Sequence, residues 1–177
     1  MLNFTVGFFK EMMIRYHKSK LLYAVFFISL QACSFNEQVP STGDAFLQGS
    51  WTEDSIPLKN QLVNYEQYQF KFTCDSFYLQ INTHSKVNLY GGECYNTNTW
   101  SEYVKGTYVV VADTLKLNGA FVNQDYKYKP ENSCYRFGKF EYDFLMQKKH
   151  QDTLYIKSKL QSLPHLLFLK KRTSCNL

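Results

Sequence analysis

The sequence predicts an all-β fold, in which eight antiparallel strands form an up-and-down meander closed into a barrel. Two observations lead to this prediction. From residue 45 onward Tyr, Phe, Val and Thr dominate short alternating runs, and no long stretch carries a helical apolar stripe. In addition, an Asp followed by Ser or Thr recurs three times between such runs, as is typical of tight hairpin turns.

Residues 1–32 have the order of a bacterial signal peptide. Basic side chains between residues 15 and 20 precede the uncharged run 21–30, which is too short to cross a hydrocarbon core about 30 Å thick as a helix. The following Leu-Gln-Ala-Cys resembles the bacterial lipobox. That resemblance implies that Cys33 is lipidated and anchors the chain to a membrane, for which we expect the outer membrane. The alternative is a buried apolar helix that ends near a cysteine.

The rest of the chain is predicted to contain a tether and one domain. Residues 33–44 are mostly polar and include a Pro and a Gly, as expected of a flexible tether, and 45–177 form the barrel domain. Removing 32 of 177 residues leaves 145, which suits one domain and a monomer. This part carries 16 basic and 14 acidic side chains, a net charge of +2, so we expect no nucleic-acid partner.

Eight strands follow from the alternation, at residues 47–53, 66–73, 77–87, 99–111, 115–122, 134–147, 153–160 and 165–172. The repeated Asp75, Asp113 and Asp152 mark short turns at one end of the meander, and longer loops lie at the other end. Eight antiparallel strands can cover their edges by closing into a barrel. An open sheet or a two-sheet sandwich is the alternative.

Four cysteines remain after Cys33, and in an exported chain they predict two disulfides with three possible connectivities. The strand order puts Cys74 and Cys175 at the short-turn end, and Cys94 and Cys134 in the loops at the opposite end. Because bridged α-carbons lie roughly 4.4 to 6.8 Å apart, the predicted pairs are 74–175 and 94–134. The alternative, a zinc site, is disfavoured because no two cysteines are closely spaced.

The segment Leu-Gln-Gly-Ser-Trp at 47–51 resembles the Gly-x-Trp signature of lipocalin-like barrels. The resemblance implies that Gly49 and Trp51 open the first strand and that Trp51 packs at the closed end. It also implies a cationic side chain from the last strand above the indole, for which Arg172 is the candidate and Lys171 the alternate. The alternative is that Trp51 is only a large core residue.

Segments 72–78 and 106–110 resemble short bacterial lipoproteins that often carry the name fumarate hydratase. We expect no such chemistry, because fumarases are far longer and use a serine base on a Gly-Ser-Ser loop or an iron–sulfur cluster. The chain has neither that loop nor a suitable set of cluster ligands.

No catalytic or metal-binding pattern is recognisable. His84, His150 and His165 lack the spacing of paired metal ligands, and no Gly-x-Ser-x-Gly motif is present. Glu141 and Asp143 share one face of a strand, where we expect cross-strand salt partners. The prediction is therefore a protein without enzymatic activity, metal or cofactor.

Three functions remain open. The first is a barrel that binds a small apolar or amphipathic ligand in its interior. The second is a protein-interaction or inhibitor module of the cell envelope, with an interior filled by its own side chains. The third is an enzyme, which would require convergent polar groups in a cleft.

Overall fold

The structure is a computed structural model, and it describes residues 43–88, 93–95, 97–131, 133–158 and 163–175, except for the side chains of 148 and 149. These ranges contain eight strands and a short 3-10 turn, which confirms the all-β class. In chain order they are β1 (Gly49–Glu53), β2 (Asn64–Thr73), β3 (Ser76–Ser85), the 3-10 turn (Glu93–Tyr95), β4 (Thr99–Val111), β5 (Thr114–Val122), β6 (Lys139–His150), β7 (Thr153–Ser158) and β8 (His165–Arg172).

Every strand pairs in antiparallel fashion with the next one along the chain, so the predicted eight-stranded meander is confirmed. β1 also pairs with β8, with Gly49 opposite Arg172 and Trp51 opposite Leu169, and this pairing closes the strand order into a barrel. The register shifts between Ser50 and Trp51 at this seam. Closure pairs the backbone groups that an edge strand would expose.

The repeated aspartates lie in the three tight hairpin turns, as the sequence predicts. In each turn the hydroxyl of the next residue donates to the Asp carboxylate, at 3.0 to 3.4 Å. The backbone carbonyl of each Asp accepts an N–H bond of 2.7 or 2.8 Å from the strand that follows the hairpin, with Tyr108, Met146 and Leu169 as the donors to Asp75, Asp113 and Asp152. The turns therefore also bind each hairpin to its neighbour.

The core lies inside the closed sheet, because alternate side chains of every strand point inward. In β3, for example, Phe77, Leu79 and Ile81 are buried, and the residues between them are half-buried. The buried apolar side chains other than Val122 form one cluster, in which none is more than 7% exposed. A cavity large enough for a lipid would leave its lining accessible to water, so the described core is filled. An eight-stranded barrel is narrow enough for this.

The predicted starts of the first and sixth strands differ from the structure, by two residues in the first strand and by five in the sixth. The first strand begins at Gly49, not at residue 47, because Asp44 accepts N–H bonds from Phe46 and Leu47 in a preceding turn. The sixth begins at Lys139, not at residue 134, because Tyr135 and Gly138 have positive φ angles of 67° and 79° that interrupt extended backbone.

The sixth strand also ends three residues later than predicted, at His150 and not at residue 147. The other strand boundaries agree with the prediction to within two residues, and the predicted end of the seventh strand at 159–160 lies outside the described residues. Residues 1–42, with the predicted signal peptide, Cys33 and most of the tether, also lie outside them. Within the described part, no helix has the length and apolar character needed to span a membrane.

Candidate functional site

The closed end of the sheet contains the predicted Gly-x-Trp signature. Gly49 has a φ of 141°, and a Cβ there would lie 2.3 Å from the carbonyl oxygen of Lys171, so only glycine fits this seam. Trp51 is fully buried, and its indole N–H donates to the carbonyl of Leu47 at 2.7 Å. Close backbone contact therefore explains the glycine of the signature, and burial with a hydrogen bond explains the tryptophan.

Arg172 lies over this tryptophan. Its guanidinium carbon is 5.6 Å from the ring centroid of Trp51, within the range of a cation–π contact. The same guanidinium donates to the backbone carbonyls of Phe46 and Gln151. Arg172, rather than the alternate Lys171, therefore joins the N-terminal turn, the last strand and the β6–β7 turn.

Buried Gln48 links the segments that meet at the closed end. Its side-chain amide donates to the carbonyl of Cys74 at 2.8 Å and to the hydroxyl of Tyr108 at 2.9 Å, and its carbonyl accepts the N–H of Cys74 at 2.8 Å. Burial raises the pKa of Tyr108 to about 12. Cys74 is bonded to Cys175 with α-carbons 5.0 Å apart, the pairing expected from the strand order.

The opposite end, where the longer loops lie, has a polar layer on the inner face. Arg136, from the loop before β6, donates to both carboxylate oxygens of Glu102 and, at 3.0 Å, to Glu66. Burial disfavours the charged guanidinium, but the hydrogen bond to Glu102 and the charge of Glu66 outweigh this effect and raise the pKa of Arg136. The arginine is thereby the counter-charge that two inward-facing carboxylates share.

A second polar group lies deeper in the same layer. Glu53 is fully buried, accepts the backbone N–H of Tyr68 at 3.1 Å, and lies 3.0 Å from Nδ1 of His165. The Tyr68 ring stacks on the imidazole at 4.0 Å between centroids, and its hydroxyl donates to Glu66. His165 is thus an interior histidine with a carboxylate partner and a stacked ring.

Aromatic rings and a disulfide cover this end. Tyr95 contacts Trp100 and Tyr135 edge-on, with centroids 5.1 and 5.3 Å apart. Cys94 is bonded to Cys134 with α-carbons 5.4 Å apart, again the expected pair. We call residues 133–138, which contain Cys134, Tyr135 and Arg136, the cap segment. The disulfide and the arginine hold it across the end of the sheet.

The polar layer contains groups suited to proton transfer, namely a carboxylate beside an imidazole. Both are almost wholly shielded from water, with side-chain exposures of 0% for Glu53 and 7% for His165. The hydroxyl of Thr83 is the one buried side-chain polar atom in the described ranges without a hydrogen-bond partner. Among those residues no three His, Cys, Asp or Glu side chains are grouped as metal ligands.

Sequence reasoning missed Glu53, Glu66, Glu102 and Arg136. A usable signal was present, because each glutamate occupies an inward-facing position of its strand. Glu53 follows Trp51 by two residues, and Glu66 precedes Tyr68 by two. A charge on the apolar face of an alternating strand predicts a buried partner.

The remaining predicted residues lie on the outer surface. Asp143 is 3.9 Å from Lys116 on the neighbouring strand, as expected of a cross-strand pair. Glu141 instead pairs with Lys139 of its own strand, so that part of the expectation is wrong. The ring of His84 stacks on Tyr65, and His150 is exposed at the end of β6.

Comparison of the chain with protein-family models, with curated proteins and with solved structures found no match.

Proposed function

We propose that the chain is a lipid-anchored lipoprotein of the bacterial outer membrane whose small lipocalin-like barrel is a protein-interaction module. We favour protein interaction over ligand binding because the interior is filled. One of the three functions that the sequence leaves open is an interior ligand site, and such a site needs a cavity. The described core side chains are at most 7% exposed, so they leave no room for one.

The cap segment supports the same choice. A ligand that entered from the long-loop end would have to displace Arg136 from two carboxylates, while the Cys94–Cys134 bond keeps the segment attached. The Glu102 side chain is only 3% exposed, so leaving it without this counter-charge costs up to about 3 kcal/mol, which a small apolar ligand has no matching group to offset. The interior therefore serves as a rigid support for the outer surface.

The lipocalin-like assignment is supported by two features of the closed end. β1 pairs with β8, and Arg172 of the last strand lies over Trp51 of the first. The resemblance of the Gly-x-Trp segment implies both. The assignment concerns architecture, and the function proposed for this barrel differs from interior ligand binding.

Titration with a fluorescent fatty acid tests whether the interior of the domain binds an apolar ligand. We expect no saturable binding to the purified chain, and none to Arg136→Ala, because the core itself excludes the ligand. Saturable binding to both proteins would contradict the proposal. Binding to Arg136→Ala alone would show a gated ligand cavity, and would contradict it as well.

The anchor is tested separately by labelling cells with a fatty acid that carries a detectable tag. We expect the label on the wild-type chain and its loss in Cys33→Ala. Cys175→Ala is a matched control, since it removes a cysteine predicted to bear no lipid, and it should keep the label. Label that persists in Cys33→Ala would refute lipidation at this residue.

A further inference from the structure

The outer wall of the sheet carries a group of tyrosines and lysines, which we call the tyrosine face. Its strand residues are outward-facing: Lys71 on β2, Tyr78 on β3, and Tyr103 and Lys105 on β4. Two further tyrosines come from the loop after β5, namely Tyr126 and Tyr128. Register brings the strand residues together, because Lys71 lies opposite Tyr78, which lies opposite Lys105.

The loop after β5 is built to hold its tyrosines on this wall. The side-chain oxygen of Asn123 accepts the backbone N–H groups of Asp125 and Lys127, and Val122 forms a bridge to Tyr128. Tyr126 has a φ of 57°, which is unfavourable for a residue other than glycine, and these bonds help to stabilise it.

The rings contact one another edge to face. The centroid of Tyr126 lies 4.9 Å from that of Tyr78 and 5.9 Å from that of Tyr103, at nearly right angles in both cases. Burial, and then the neighbouring Tyr103 and Tyr78, raise the pKa of Tyr126. Packed tyrosines present a large, rigid and amphipathic surface at little cost in conformational entropy.

The charged side chains on this wall are basic. Outward-facing positions of β2 to β5 hold no Asp or Glu, and the nearby Asp125 lies in the loop. Lys71 and Lys105 lie over the rings of Tyr78 and Tyr128, at 5.8 and 4.8 Å. Within the described residues neither lysine has a carboxylate at salt-bridge distance.

Two lysines elsewhere on the sheet differ in this respect. Lys139 pairs with Glu141 at 2.7 Å, and Lys170 pairs with Asp54 at the same distance. Lys157 of β7 and Lys171 of β8 likewise have no carboxylate at salt-bridge distance among the described residues. The tyrosine face differs from them because its two lysines lie over tyrosine rings. Surfaces of this kind are complementary to an acidic partner.

A groove of about 490 Å³ lies on this face, beside Tyr78 and Tyr128. Tyr78, Lys105, Thr107, Asn118 and Tyr128 contribute to its lining. Hydroxyl and amide groups beside aromatic rings are the mixture found in protein-binding surfaces, where Tyr supplies contact area and Asn, Ser and Thr supply hydrogen bonds.

We propose that the tyrosine face docks an acidic peptide segment of a protein partner, which lies in this groove with one carboxylate on Lys105 and another on Lys71, which is on the neighbouring strand opposite Tyr78. This inference rests on the proposed interaction function. The face favours a peptide over an anionic membrane, because recognition of anionic lipid headgroups typically uses clusters of four to eight basic residues. Here two lysines lie among tyrosines, amides and hydroxyls.

The test is a selection from a displayed random peptide library on the immobilised wild-type chain. We expect enriched peptides rich in Asp and Glu. The double variant Lys71→Gln with Lys105→Gln should bind them about tenfold more weakly, as expected for the loss of roughly 1.4 kcal/mol. Lys139→Gln with Lys170→Gln changes the net charge equally, and should leave binding within about twofold.

A second variant, Tyr126→Ser, should weaken binding of the selected peptides further and leave the melting temperature close to wild type, because the half-buried ring packs on the outer wall of the sheet and not in the core. Equal weakening in both lysine double variants would overturn the site. Enriched peptides that lack acidic residues would overturn the partner chemistry and leave the interaction function standing. Enrichment of no peptide, with binding to anionic vesicles or to dextran sulfate instead, would overturn both proposals.

Discussion

Arg136 binds Glu102 through four hydrogen bonds, one from its backbone N–H and three from its guanidinium, at 2.7 to 3.0 Å. The carboxylate belongs to an inward-facing position of β4 and is 3% exposed, whereas the arginine comes from the cap segment. A bidentate pair of this kind fixes both distance and orientation. It is the contact that joins the long-loop end to the wall of the sheet.

Arg136→Ala should lower the free energy of unfolding by about 3 kcal/mol, because it leaves the Glu102 carboxylate buried without a counter-charge. Denaturant unfolding measures the loss. Lys139→Ala is the matched control, since its ion pair with Glu141 is more than half exposed at both side chains, and it should change stability by less than about 1 kcal/mol. Equal effects of the two substitutions would contradict a structural role for the Arg136 contact.

Replacement of Arg172 should change the emission of Trp51. In a Trp100→Phe background, which leaves Trp51 as the remaining indole, Arg172→Ala should increase quenching by iodide and cost about 1 to 2 kcal/mol of stability. Arg172→Lys should cause smaller changes in quenching and stability than Arg172→Ala, since lysine keeps the positive charge but lacks the planar group. Unchanged emission and quenching in the alanine variant would rule out the stacking.

Loss of either disulfide should destabilise the chain. Under the chain-entropy model, closure of loops spanning 101 and 40 residues contributes about 5 and about 4 kcal/mol. Cys74→Ala with Cys175→Ala should therefore cost slightly more than Cys94→Ala with Cys134→Ala when both are measured by denaturant unfolding. A larger cost for the second pair would show that the cap segment contributes more than loop closure predicts.

Tyr108 should make stability fall at high pH. Its pKa is about 12 in the folded chain against 10.0 ordinarily, so folding favours the neutral phenol. This contribution is complete below about pH 10 and is lost as the pH rises towards 12. Thermal unfolding of Tyr108→Phe should show a shallower decline over that range, and absorbance titration should show about one fewer late-ionising phenol. Coincident curves for the two proteins would contradict the burial argument.

Local chemistry explains why most of the fold could be predicted from the sequence. The Asp repeat marks the hairpin turns because a short polar side chain stabilises a tight turn without any distant contact. Once those turns set the direction of each strand, the ends of the meander and the two cysteine pairings follow. The Trp51–Arg172 contact depends on the same strand order and on a resemblance at the first strand.

The cap segment could not be predicted in the same way. Cys-Tyr-Arg-Phe at 134–137 alternates like a strand, and only positive φ angles at Tyr135 and Gly138 distinguish it from one. Arg136 is placed by carboxylates from β2 and β4, which are distant in sequence. Glu53 and His165 are likewise 112 residues apart, so their pairing exists only once β1 and β8 meet.

The filled interior is tested most directly by native mass spectrometry of the soluble chain that begins after Cys33, purified without denaturant. We predict the mass of the polypeptide with two disulfides and nothing else bound, because the side chains of the core occupy the space that a ligand would need. A stoichiometric added mass that is released on unfolding, and that proves to be an apolar or amphipathic small molecule, would contradict the account and restore the barrel as an interior ligand binder.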